Sequence, residues 1–158
     1  MKHLLLALLL FPMLLHGQTR QFRPDKQFYI EANTGIGVVD EWEVSNVPFT
    51  SMCIGRTSDF GDYSLIDISA GVSFPDIWTA KIGLGSYYDM GGIENASIIL
   101  GVRLNPAMLY AQYHIKINDL GFFTFCAEMG TGQSGRGEYI HVLNLGWKWP
   151  LKFKKKSN

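Results

Sequence analysis

Residues Glu138 to Pro150 read EYIHVLNLGWKWP, and apolar side chains recur there at every second position. Tyr139, His141, Leu143, Leu145, Trp147 and Trp149 fall on one face, and Glu138, Ile140, Val142, Asn144, Gly146 and Lys148 on the other. A period of two belongs to an extended strand, whose successive side chains point to opposite sides. A chain that repeats this pattern from end to end is limited to sheet architectures. Two questions then remain: how many strands there are, and which face lies outside.

The first 17 residues stand apart from that pattern. MKHLLLALLLFPMLLHG has a basic start at Lys2, an unbroken apolar stretch from Leu4 to Leu15, and a small residue, Gly17, before Gln18. This is the anatomy of a cleaved secretory signal, and the apolar part is short for a membrane-spanning helix. The expected organisation is a signal at 1–17, a polar lead-in at 18–26, one domain at 27–153 and a basic tail at 154–158. Without Lys2 the acidic and basic groups nearly balance, so nothing in the charge suggests a nucleic-acid surface, and no nucleic-acid partner is expected. Cys53 and Cys126 would meet an oxidising compartment, so either a disulfide or two packed free thiols fits, and their spacing is not that of a metal site.

Eight runs alternate in this way: 27–39, 44–57, 63–74, 77–88, 93–104, 107–117, 122–130 and 138–150. The connections carry turn chemistry: Ser58 to Asp62, Pro75-Asp76, Gly91-Gly92, Asn105-Pro106, Asn118 to Gly121, and TGQSGRG from Thr131. The second run is the weakest. Pro48 interrupts it, and Val47, Phe49 and Cys53 compete in phase with Met52 and Ile54, which predicts a bulge or edge kink. Short connections make neighbouring runs antiparallel. Eight of them in an up-and-down meander can close and remove both edges.

Composition decides which face is outside. A soluble barrel would wet its polar face with dense Lys, Glu and Asp. Here that face is dominated by Gly, Ser, Thr, Asn and Tyr, with about one charge per strand: Glu31, Asp67, Glu128 and Glu138 against Lys81, Arg103, Lys116 and Lys148. Opposite charges in a narrow interior can neutralise one another. The apolar face carries aromatic residues near strand ends, at Phe74, Trp78, Tyr88, Tyr139, Trp147 and Trp149, as interfacial girdles do. The expected fold is therefore an all-β, eight-stranded antiparallel transmembrane barrel.

From Gln27 to Phe153 the chain resembles, in architecture, the small eight-stranded outer-membrane barrels of the OmpA and OmpX type. Its HGQ start looks like exported proteins of the Bacteroidota. Members of that family usually end on an aromatic residue, whereas here Trp149 and Phe153 are followed by KKKSN. The resemblance implies a bacterial outer-membrane location, with lipid and lipopolysaccharide as surroundings, no cofactor, and a structural or accessory role in an envelope complex.

Two other readings compete. Lipid A deacylases are also eight-stranded barrels and use a serine, a histidine and a glutamate; His114 and Glu128, on neighbouring strands, are the residues that would fill the base and orienting roles. That family's His-x-Ser element is absent, because Lys116 stands where the serine would be. The other competitor is a soluble periplasmic barrel that binds an apolar ligand. Gly130, Gly132 and Gly135 spell GxGxxG, but a strand follows where a dinucleotide site needs a helix, so they read as a hairpin loop. His141, on the apolar face, reads as an interfacial residue, and Asn95-Ala96-Ser97 lies within a strand and is discounted as a glycan acceptor.

Overall fold

A computed structural model describes residues 27–40, 45–59, 64–90, 93–117, 120–131 and 139–151. They form eight strands: β1 (Gln27–Asp40), β2 (Ser45–Asp59), β3 (Ser64–Phe74), β4 (Thr79–Met90), β5 (Ile93–Leu104), β6 (Met108–Ile117), β7 (Gly121–Thr131) and β8 (Tyr139–Leu151). Each strand pairs antiparallel with its sequence neighbours, and β8 closes on β1 through a ladder from Phe28↔Leu151 to Asp40↔Tyr139. The result is a closed meander barrel in which every strand has a paired neighbour on both sides, so that no strand is an edge strand. β1 begins and β8 ends at the same mouth, called here the terminal mouth. The β1–β2, β3–β4, β5–β6 and β7–β8 connections lie at the opposite, distal mouth. The expected signal, the lead-in and the basic tail lie outside the described residues.

The runs of alternation and the strands coincide within two residues at every end. Differences of two fall at the end of β2 and at both ends of β4, which starts at Thr79 and not Ile77. Residues 75–78 instead form a turn, in which the Ser73 hydroxyl donates to the Asp76 carbonyl (3.3 Å) and the Asn105 amide to the Trp78 carbonyl (2.9 Å).

The bulge expected in the second run is not there. β2 holds a continuous register against β1 through Ile36↔Pro48, and against β3 from Thr50↔Phe74 onward. Pro48 sits beyond that last β3 pair, where the strand has a neighbour on one side only and a residue without an N–H is tolerated. The apparent conflict of phase also resolves. Phe49, Ser51 and Cys53 point inward and are buried, while Met52 and Ile54 point outward. The irregularity lies instead between β4 and β5, where the pairs Tyr88↔Ala96 and Met90↔Ile93 leave two residues of β5 facing one of β4.

Inside the barrel, tyrosines lie over glycines. A Cβ on Gly55 would strike the Tyr29 ring. One on Gly83 would strike the Tyr110 hydroxyl and come within 2.5 Å of Ile99 Cγ2, and one on Gly101 would lie 2.8 Å from Tyr110 Cε1. Glycine at these positions makes room for the large groups of facing strands, as a lumen barely wider than its own side chains requires. Gly83→Ala is therefore expected to lower stability by about 1–3 kcal/mol through overpacking. The outward-facing Ala80→Val should stay within about 0.5 kcal/mol of the parent. Urea midpoints of the barrel folded into phospholipid vesicles measure both.

Candidate functional site

The two faces of the barrel wall differ in kind. Among the described residues, 22 large apolar side chains are exposed, including Ile36, Met52, Ile54, Ile68, Val72, Leu84, Leu109, Leu143 and Leu145. All but Ile77, Trp78 and Leu120, which lie in connections, follow the outward parity of the strands, and every strand from β1 to β8 contributes to the belt. Of the aromatic residues expected at its edges, Phe74 and Trp78 are exposed at the distal end and Trp149 at the terminal end. Trp147 is half-buried there and donates its indole N–H to the Leu120 carbonyl (3.2 Å). The side chains of Tyr88 and Tyr139 lie outside the described residues. His141 is exposed on the same outer wall.

The inward face holds six buried charges, whereas Arg56, of outward parity on β2, is exposed at the terminal end with its guanidinium 5.3 Å from the centre of the Phe28 ring. Glu31, Asp67, Lys81, Arg103, Glu128 and Lys148 are all buried, at no more than 5% exposure each. Three negative groups face three positive ones, so this buried set is neutral. Arg103 Nη1 donates to Glu128 Oε2 at 2.8 Å, and Lys81 Nζ lies 3.4 Å from Glu31 Oε1 and 3.8 Å from Glu128 Oε1. Lys148 Nζ donates to Asp67 Oδ1 at 2.9 Å and sits 3.6 Å from the centre of the Tyr29 ring. Lys116 takes the same inward parity nearer the terminal mouth and is half-buried; Glu138 lies outside the described residues.

Neutral polar groups complete the network, and composition alone did not single them out. Glu31 accepts from the amides of Asn33 (2.7 Å) and Gln112 (3.0 Å). Glu128 accepts from Asn144 (3.1 Å), and Asp67 accepts from the Tyr29 and Thr57 hydroxyls. Thr124 donates to Asn33 Oδ1 (3.1 Å), so side chains from β1 and β7 meet. The signal that could have found these residues is parity, since each lies an even number of positions from a buried charge on its own strand or its neighbour.

The structure separates His114 from Glu128. The β6–β7 register pairs His114 with Thr124 and Glu128 with Tyr110. The connection takes only residues 118–120; bringing the two groups opposite each other would require a longer loop. His114 Nδ1 instead lies 3.2 Å from Ser97 Oγ across β5–β6, with its ring 6.4 Å from that of Phe122. Nearby, Tyr29, Ser97, His114, Phe122 and Lys148 line a cavity with about 20 Å³ of room for the centre of a water molecule, which is space for little more than one water. Cys53 and Cys126 are both buried as free thiols. Among the described residues no group of three His, Cys, Asp or Glu side chains could hold a metal ion.

No protein-family model matches the chain, and no curated protein does. Among solved structures it is similar to one described as "De novo design of transmembrane beta-barrels", with 10% sequence identity and a TM-score of 0.47 over 80% of this chain and 98% of that one.

The geometry of the ion network makes a specific demand. Glu128→Gln leaves Arg103 buried without its counter-charge, and should destabilise the barrel by roughly 3–5 kcal/mol. Arg103→Met combined with Glu128→Gln restores neutrality and should recover a large part of that loss. Equilibrium unfolding in vesicles of the single and double variants reads the difference.

Proposed function

We propose that the chain is a small integral protein of the bacterial outer membrane, built like the OmpA- and OmpX-type barrels and delivered by a cleaved signal at residues 1–17. It acts without catalysis, as a structural component or as an accessory subunit of an envelope complex, with its outer wall against lipid and lipopolysaccharide. The observation that carries this reading is the inversion of polarity: a belt of large apolar side chains is exposed on the outer wall, and six ions are buried inside. Monomeric soluble proteins rarely expose contiguous apolar patches larger than a few hundred Å², whereas this belt runs around all eight strands. The strands also have the right reach. Eleven residues of β3, at about 3.3 Å each and tilted about 40°, rise about 28 Å, close to the height of a membrane barrel's apolar band.

The packed lumen bears on what such a protein does. Neutralised ions and tyrosines fill the space that a pore would need, so the outer wall and the rims are the surfaces left for partners. A soluble carrier of apolar ligands would need an apolar lumen, and this one is lined by Glu31, Lys81, Arg103 and Glu128. A hydrolase using His114 and Glu128 would need the two side by side, and they belong to separate hydrogen-bond groups.

Cell fractionation and gel mobility test the proposal together. The mature protein should remain with the outer membrane after osmotic shock, and, extracted in detergent, should migrate faster unheated than boiled. Release by osmotic shock in soluble form, with one mobility at both temperatures, contradicts it.

A further inference from the structure

The β3–β4 turn at the distal mouth is apolar where a water-facing turn would be polar. Turns in water favour Gly, Pro, Asn, Asp and Ser; this one has Pro75 and Asp76 at its centre but flanks them with Phe74, Ile77 and Trp78. Ile77 is 86% exposed, and Phe74 and Trp78 are more than half exposed. Leu104, next to them at the end of β5, is also exposed. The one charged residue, Asp76, is partly buried and does not share the exposure of Ile77.

The backbone of the turn is prepared for a dry environment. In lipid, each unsatisfied N–H or C=O costs several kcal/mol, so irregular segments are kept out unless their polar groups are met within the protein. Here the Asp76 carbonyl accepts from the Ser73 hydroxyl and the Trp78 carbonyl from the Asn105 amide, while Pro75 has no N–H to satisfy. Side chains from β3 and from the adjacent β5–β6 turn thus cap two of the carbonyls that water would otherwise solvate.

From this combination we infer that the β3–β4 turn is itself a lipid-binding element, set into the boundary between headgroups and acyl chains with Ile77 and Trp78 embedded. The inference rests on the membrane reading above and extends it from the strands to a connection. The register makes the contact one-sided. Phe74 pairs with Thr50, and β2 continues toward the rim from there through Pro48 to Asn46, with Thr50, Pro48 and Asn46 exposed on the outer wall. The apolar belt therefore runs past the strand ends at β3–β4 and stops short of them at β1–β2. A belt of unequal height is accommodated by tilting the barrel or by local deformation of the bilayer, at modest cost.

Site-directed spin labelling in phosphatidylcholine–phosphatidylglycerol vesicles tests this. Nitroxides are placed through cysteine at Ile77, at Leu84 on the outer wall and at Ala107 in the neighbouring turn of the same rim. The unsubstituted chain serves as the blank for the buried Cys53 and Cys126. Oxygen accessibility should exceed that of a water-soluble nickel chelate at positions 77 and 84, and the reverse should hold at 107. A lipid-like Leu84 with a water-like Ile77 overturns the inference and leaves the membrane reading intact. A water-like Leu84 overturns both.

Discussion

An ion shut in a narrow lumen has no water to solvate it, so each must be neutralised by a partner that the fold places within a few ångströms. The Arg103–Glu128–Lys81–Glu31 chain and the Lys148–Asp67 pair meet that requirement with side chains from six of the eight strands. Such pairs seldom add net stability compared with an apolar core, but losing one partner is costly. They therefore act as a check on register. A strand shifted by two residues keeps its faces but puts a charge opposite the wrong group. The closure ladder illustrates this, since β1 and β8 place Glu31 opposite Lys148 in backbone register while their ion pairs go to Lys81 and Asp67.

The inward charges and the outward apolar belt are two consequences of one alternation. A strand has only two faces, so a wall that presents Leu143 and Leu145 outward must present Val142, Asn144 and Lys148 inward. Where the lumen has no room for another large group, glycine stands, and a tyrosine from a facing strand occupies the space. Tyr110 over Gly83 and Gly101, and Tyr29 over Gly55, thus fill the volume, and the Tyr29 hydroxyl donates to Asp67. The interior is correspondingly crowded, and the cavity beside Tyr29, His114 and Lys148 is little more than water-sized.

Alternation made the strands, the meander and the two faces legible in the sequence, because parity is local and survives errors of a residue or two in the strand ends. The six buried charges could be picked out for the same reason. Pairing across strands is a different matter. Which residue stands opposite His114 depends on how many residues the β6–β7 connection consumes, and a short turn there pairs it with Thr124, placing it out of reach of Glu128. The phase of β2 was obscured because Phe49 and Cys53 are apolar groups on the lumen side, where parity alone suggested polar ones. The neutral members of the network, Asn33, Gln112, Asn144 and Tyr29, carry no charge to distinguish them from other small or polar residues, and only three-dimensional proximity to a carboxylate reveals their part.

The central claim is that one set of apolar side chains touches lipid and another, of the same chemical kind, does not. Methyl-resolved nuclear Overhauser spectroscopy in nanodiscs with protonated acyl chains measures this directly. The account predicts cross-peaks from acyl protons to Ile68, Leu84 and Leu143, and none to Leu65, Ile99 and Val142. Acyl contacts at the second set, or water contacts in place of lipid at the first, would contradict it.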